Sequence, residues 1–151
     1  MIPVSLEIRE ARKDDARALS DLFIAFIGRE SDIDKMQEKI EIISGLPNYH
    51  VVVACKDEHV IGTAMGIVCM DIVGNCNPYM LVENVVVSPI HQGKGIGKML
   101  MKVLENNAAA SNCNYIILAS SDGREDAHRF YESIGYQGVK RGFIKRMKNQ
   151  I

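Results

Sequence analysis

The sequence predicts an α/β fold: a mixed sheet with helices on both faces, carried by one domain spanning residues 1–151. Three observations lead there. A valine-rich strand, Met80 to Val87, turns through glycines into a helix and returns as a second apolar strand, Tyr115 to Ser120. A strand–helix–strand crossover of that kind makes its two strands parallel. Earlier, two apolar segments are joined by the four-residue turn Lys56-Asp57-Glu58-His59, which makes them antiparallel. Helical and strand periodicities alternate along the rest of the chain, so both element types share one core.

In order, Ser5 to Glu10 alternates Leu6 and Ile8 against charges, as a half-buried strand does. Asp14 or Asp15 caps the next helix, whose face is Ala16, Leu19, Leu22, Phe23 and Phe26 and which stops near Gly28. A second helix runs from about Asp32 to Ser44 on Ile33, Met36, Ile40 and Ile43, ended by Gly45 and Pro47. Tyr49 to Cys55 and Val60 to about Ile72 are strands. Gly62 and Gly66 inside the second mark a bulge or a close approach. Val73 to Pro78 is a loop of turn formers. After the central strand, Ile96, Leu100, Val103, Leu104 and Ala108 recur at helical spacing. A short helix then covers about Glu125 to Ile134, and Tyr136 to Val139 and Phe143 to Met147 read as a closing strand pair. The predicted order is β-α-α-β-β-β-α-β-α-β-β.

Composition removes several classes. Eighteen Lys and Arg against nineteen Asp and Glu leave a net charge of −1, so nothing electrostatic favours nucleic acid or a membrane surface. No apolar run approaches the ~20 residues a bilayer span needs. The first residues, Met1 to Arg9, lack the basic-then-apolar pattern of a signal peptide. The four cysteines contain no Cys-x-x-Cys pair and lie mostly among apolar residues. They read as reduced, buried thiols of a cytoplasmic protein rather than disulfides or metal ligands.

The chemistry concentrates where the central strand meets its helix. Ser88-Pro89 stops the strand, and Gln92-Gly-Lys-Gly-Ile-Gly97 opens the helix. Unpaired amides and the positive helix end make this an anion site. It is not a nucleotide triphosphatase loop, because Gln92 stands where the first glycine should and Met99 where the hydroxyl should. Nor is it a dinucleotide fingerprint, since Gly93, Gly95 and Gly97 are two apart. It meets Gln/Arg-x-x-Gly-x-Gly/Ala, and with the strand before it resembles the coenzyme A loop of the Gcn5-related N-acetyltransferase superfamily. A second run, Arg124-Glu-Asp-Ala-His-Arg-Phe-Tyr-Glu-Ser-Ile-Gly-Tyr136, resembles that family's Ala-x-x-Phe-Tyr-x-x-x-Gly-Phe/Tyr element. The element order is also the family's, the acyl-CoA N-acyltransferase fold, over nearly the whole chain.

The resemblance implies acetyl-CoA as cosubstrate, with no metal. Its pyrophosphate is expected on the amides from Gln92 through Gly93, Lys94, Gly95, Ile96 and Gly97 to Lys98, and its pantetheine along Val85, Val86 and Val87. Ala127, Phe130 and Ile134, three and four residues apart, form the buried face of the later helix, and the resemblance counts Ala127, Phe130 and Arg124, which replaces the family's frequent Asn, among the cofactor-binding residues. Tyr131, about 100° round the helix from the core residue Phe130, corresponds to the tyrosine that commonly protonates the departing thiolate. Glu83, a carboxylate among apolar residues, shares a face with Leu81, Val85 and Val87 by the period of two. Burial would raise its pKa into the range of a base that takes the amine's proton, directly or through water. Anchoring the amine or pairing with a buried arginine is its other reading. His91 and His128 read as packing or surface residues.

The acceptor is read as a small polar primary amine. Glu83-Asn-Val-Val-Val and Tyr115-Ile-Ile-Leu look like the glucosamine-phosphate acetyltransferase branch, and Arg124-Glu-Asp-Ala-His-Arg-Phe-Tyr like the aminoalkylphosphonate branch. An amino sugar is preferred. A protein lysine or N-terminal acetyltransferase and a non-catalytic acyl-CoA-binding module are the alternatives. Many members are dimers, so the resemblance admits a homodimer.

Overall fold

The computed structural model describes residues 5–148, apart from the side chain of Phe26; the expected contact of Phe26 and the run ahead of Ser5 lie outside it. The chain divides into two compact units, the first up to Ile117 and the second from Leu118.

In the first unit the strands are β1 (Leu6–Glu10), β2 (Tyr49–Lys56), β3 (His59–Cys69), β4 (Tyr79–Val87) and β5 (Ile116–Leu118), which runs one residue past its boundary. They lie side by side in chain order. The pairs β1–β2, β2–β3 and β3–β4 are antiparallel. Between β4 and β5 runs the crossover helix α3 (Ile96–Ala110), the connection that parallel neighbours need. Helices α1 (Ala16–Ile27) and α2 (Ile33–Ser44) precede β2. Gly28 ends α1 with a left-handed φ of 74°, its N–H bonded to the Ile24 carbonyl. Asp32 caps α2 by accepting from the Lys35 N–H at 3.0 Å. Asp15 serves otherwise than expected. Its carboxylate takes the Arg12 N–H and both terminal nitrogens of Arg9, tying β1 to the helix start.

The two faces of β2 feed two cores. Val53 and Cys55 pack with Ala16, Leu19 and Ile40 under α1 and α2. The opposite face, where Ala54 pairs with Gly62 and His50 with Gly66, lies under α3. The two strand glycines are close approaches. A Cβ on Gly62 would meet Leu100, Ile96 and the Val86 carbonyl oxygen at 3.2–3.4 Å, and one on Gly66 would meet the Met80 sulfur at 2.8 Å and Leu104 at 3.1 Å. Glycine there lets Ile96, Leu100 and Leu104 sit down on the sheet, and all three are buried.

The second unit holds α4 (Glu125–Ser133), closed through Gly135 at φ 100°. The expected closing strand pair does not form: no strand occurs from Tyr136 to Met147. Val139, Phe143, Ile144 and Met147 are exposed, so the alternation buries nothing. Gly138 and Gly142 weaken the run further as strand. The strand expected over Tyr115 to Ser120 is the shorter β5. Of the cysteines Cys55 is buried, whereas Cys76 is exposed, against expectation, because the loop after β3 turns it outward at φ 61°.

Candidate active site

The glycine loop is built as its sequence requires. After β4, Ser88 donates its N–H to the Ile61 carbonyl at 2.7 Å, and Pro89–His91 form one short 3-10 turn. The Gln92 side-chain amide reaches back to the Val87 carbonyl at 3.1 Å, fastening the loop to the strand it leaves. Gly93 and Gly95 then take φ of 76° and 83°, where a β-carbon is costly, and nothing lies within 4 Å of where one would project. Gly95 begins α3 without a side-chain cap, and the first intrahelical bond is Met99 N–H to Gly95 O at 3.1 Å. The amides of Ile96, Gly97 and Lys98 in the first turn therefore precede the helix's own bonding. Their N–H groups lie beside two glycines over which the space is open. Ile96 offers only its amide, since its side chain is in the core. Lys94 and Lys98 are exposed beside the loop and add positive charge.

One turn of chain earlier, β4 carries an irregularity that the period-two reading misses. Met65 pairs with Glu83 and Thr63 with Val86, so Ala64 alone faces both Asn84 and Val85. Asn84 adopts φ 58° to admit the extra residue. This is a β-bulge, and it takes Val85 out of the ladder. It also moves side chains between faces. Glu83 shares its face with Leu81 and, past the bulge, with Val86; Val87, opposite Gly62, is on the other face. Glu83 and Asn84 are exposed, and Val85, Val86 and Val87 are half-buried. The buried carboxylate expected at Glu83 is therefore not found: Glu83 stays paired with Met65 beside the bulge, and its side chain is exposed. Among the described residues the Glu83 side chain has no hydrogen bond or ion pair.

In the second unit, α4 follows Arg124 and presents Ala127, Phe130 and Tyr131, all half-buried, while Arg124 is exposed. The Tyr131 ring meets Phe130 edge-on at 5.1 Å and Tyr136 at 6.0 Å, and its carbonyl accepts the Tyr136 N–H at 3.0 Å. Burial pushes the Tyr131 phenol above its usual pKa, with the Arg124 guanidinium pulling the other way. The phenol of Tyr131 is thus protonated at neutral pH. The His128 ring lies 3.0 Å from the Ser121 carbonyl, and His91 Nδ1 is buried without a partner. The sequence reading missed the bulge. Its only signal was Asn84, a residue that tolerates positive φ, in the middle of a valine-rich strand.

Comparison with known proteins gives the same family from two directions. The acetyltransferase (GNAT) family model matches residues 10–136. The aminoalkylphosphonate N-acetyltransferase of Salmonella typhimurium is 25% identical over 141 residues, covering 93% of this chain and 91% of that protein. The glucosamine-6-phosphate N-acetyltransferase of Arabidopsis thaliana superposes with a TM-score of 0.81 at 21% identity, covering 95% and 99% of the two chains. An aminoglycoside N-acetyltransferase in complex with coenzyme A superposes with a TM-score of 0.82 at 18% identity, covering 98% and 99%.

Proposed function

The chain belongs to the acetyltransferase (GNAT) family, an acetyl-CoA-dependent N-acetyltransferase, and from that premise we propose that its acceptor is a small polar primary amine. The coenzyme half of the reading rests on two backbone features of β4 and α3, a bulge at Asn84 and an open glycine loop at Gly93–Gly95, and the acceptor half on the relatives named above. An amino sugar of the glucosamine type is the first candidate and an aminoalkylphosphonate the second. The names of two relatives support both, and in each the amine-bearing molecule also carries a phosphate or phosphonate. We read the chain as one acetyltransferase domain working in the cytoplasm.

Acetyl-CoA supplies a thioester carbonyl to the attacking amine. The amides from Gln92 to Lys98 hold the pyrophosphate, and Val85 to Val87 run beside the pantetheine. The Val85 backbone, free of the ladder, can donate to the carbonyl oxygen where charge develops. Glu83 is exposed and solvated, so it takes the amine's proton through a water rather than as a buried base. As the new C–N bond forms and the C–S bond breaks, Tyr131 gives its phenolic proton to the thiolate. Arg124, Ala127 and Phe130 orient the helix that carries it.

A screen of primary amines read by thiol release tests this. Turnover of glucosamine phosphates or aminoalkylphosphonates is expected. Turnover of peptides alone would make the protein a protein modifier. Tight coenzyme binding with no turnover would make it a binding module.

A further inference from the structure

The net charge of −1 is an average over an uneven distribution. The last of the nineteen Asp and Glu is Glu132, whereas Lys140, Arg141, Lys145, Arg146 and Lys148 all follow it. Every residue from 137 to 148 is exposed. Four bulky apolar side chains stand among the cations, Val139, Phe143, Ile144 and Met147, at 77%, 91%, 75% and 85% exposure. The order from Val139 to Lys148, Val-Lys-Arg-Gly-Phe-Ile-Lys-Arg-Met-Lys, puts a cation within two residues of each of them. At Gly142 the run passes Ala119 of the same unit, where a Cβ would be in ordinary contact at 3.9 Å.

Either property alone has a plain explanation. A basic surface is well hydrated without apolar neighbours, and single apolar side chains occur on the surface of any protein. Interleaved in one exposed run, they match a partner that offers negative charge and a nonpolar layer side by side. The boundary between headgroups and acyl chains of an anionic bilayer is built that way. Lys and Arg stems lie along the apolar layer while their charged ends stay at the phosphates. Arg141, Lys145, Arg146 and Lys148 form no ion pair among the described residues, so their charges are available. The run forms neither helix nor strand, and a bilayer asks for charge and apolar area rather than a shaped face.

We propose that residues 139–148 are a contact surface for an anionic lipid bilayer. Val139, Phe143, Ile144 and Met147 enter the interface, and the basic residues between them sit at the lipid phosphates. A bilayer is favoured over nucleic acid because three of the four apolar groups are aliphatic, whereas single strands are held by stacking on aromatic rings. A second copy of the same segment would bring like charges together. The contact does not depend on which amine is acetylated.

Co-sedimentation of the full chain with lipid vesicles tests it. Vesicles of phosphatidylcholine mixed with phosphatidylglycerol should retain the protein at low salt, and vesicles of phosphatidylcholine alone should not. Added salt should weaken the binding. Lys145→Gln with Arg146→Gln should weaken partitioning about 30-fold, through two lost surface charges. Phe143→Ser with Ile144→Ser should weaken it about tenfold or more. All four side chains are exposed, so circular dichroism and Tm should be unchanged in both variants. Failure of the wild type to bind the anionic vesicles, or binding that either double variant leaves intact, overturns the proposal. Tighter binding of single-stranded RNA than of the anionic vesicles overturns it in favour of nucleic acid.

Discussion

Arg9 grips Asp15 with both guanidinium nitrogens, Nη1 to Oδ2 at 2.8 Å and Nη2 to Oδ1 at 2.9 Å, where the side chains are only 17% and 8% exposed. Burial alone would raise the Asp15 pKa, but the Arg9 bonds and the Arg12 N–H outweigh it, and the carboxyl sits below its ordinary value. A depressed folded-state pKa stabilises the protein above the ordinary carboxylate range, and that contribution fades as pH falls through the lowered value. Asp15→Asn should cost about 3 kcal/mol at neutral pH, roughly 6–12 °C in Tm, and should flatten the acid side of the stability curve. Urea midpoints measured from neutrality downward check this. An acid slope identical to wild type would assign the pH dependence elsewhere.

Gly62 and Gly66 should separate stability from coenzyme binding. Gly66→Ala pushes on Met80 and Leu104, deep in the core and remote from the loop. It should lower stability by about 1–2 kcal/mol and leave coenzyme affinity alone. Gly62→Ala pushes on Ile96, the first residue of α3, and on the Val86 carbonyl. It should lower both, as melting curves and calorimetry would show.

Gly95→Val places a β-branched side chain at φ 83°, in the open space over the loop. Coenzyme affinity should fall by at least about tenfold, since close approach of backbone to phosphate is lost. Unchanged affinity by calorimetry would move the pyrophosphate off this loop.

For Glu83 the expected outcome follows from exposure. Glu83→Gln should lower kcat by about 10²-fold with KM nearly constant, because the neutral amide cannot take up the amine's proton. A raised KM with kcat preserved would mean that the carboxylate anchors the amine.

Tyr131→Phe keeps the ring against Phe130 and Tyr136 and deletes one hydroxyl. Loss of a general acid predicts a fall in kcat of about 10²–10⁴-fold, with Tm and coenzyme affinity little changed. Turnover within about threefold of wild type, against that expectation, would reduce Tyr131 to packing.

What could be read in advance follows from how local each determinant is. The glycine spacing from Gly93 to Gly97 and the helical stripe after it are neighbours in sequence, so the loop, α3 and their order were legible. Gly62 and Gly66 announced a close approach, but that α3 makes it depends on residues some 30–40 positions later. The misreading of the face that Glu83 shares has one cause. A period-two argument holds only while the ladder is regular, and the extra residue at Asn84 shifts every side chain beyond it. The Arg9–Asp15 pair was hidden for a similar reason, joining a strand to a helix that the sequence separates with a bend. In the closing segment, alternation at Val139, Phe143 and Ile144 imitated strands, although alternation supplies no neighbour to pair with.

The sheet's strand order has a consequence for how the chain assembles. Because β1 to β5 sit side by side in the order in which they are synthesised, each strand after the first finds its partner already made. The β2–β3–β4 meander closes over short loops at little entropic cost and needs nothing from downstream. Emerging N-terminus first, the chain can complete four strands before α3 exists, leaving Gly62 and Gly66 as a bare track on which that helix docks last.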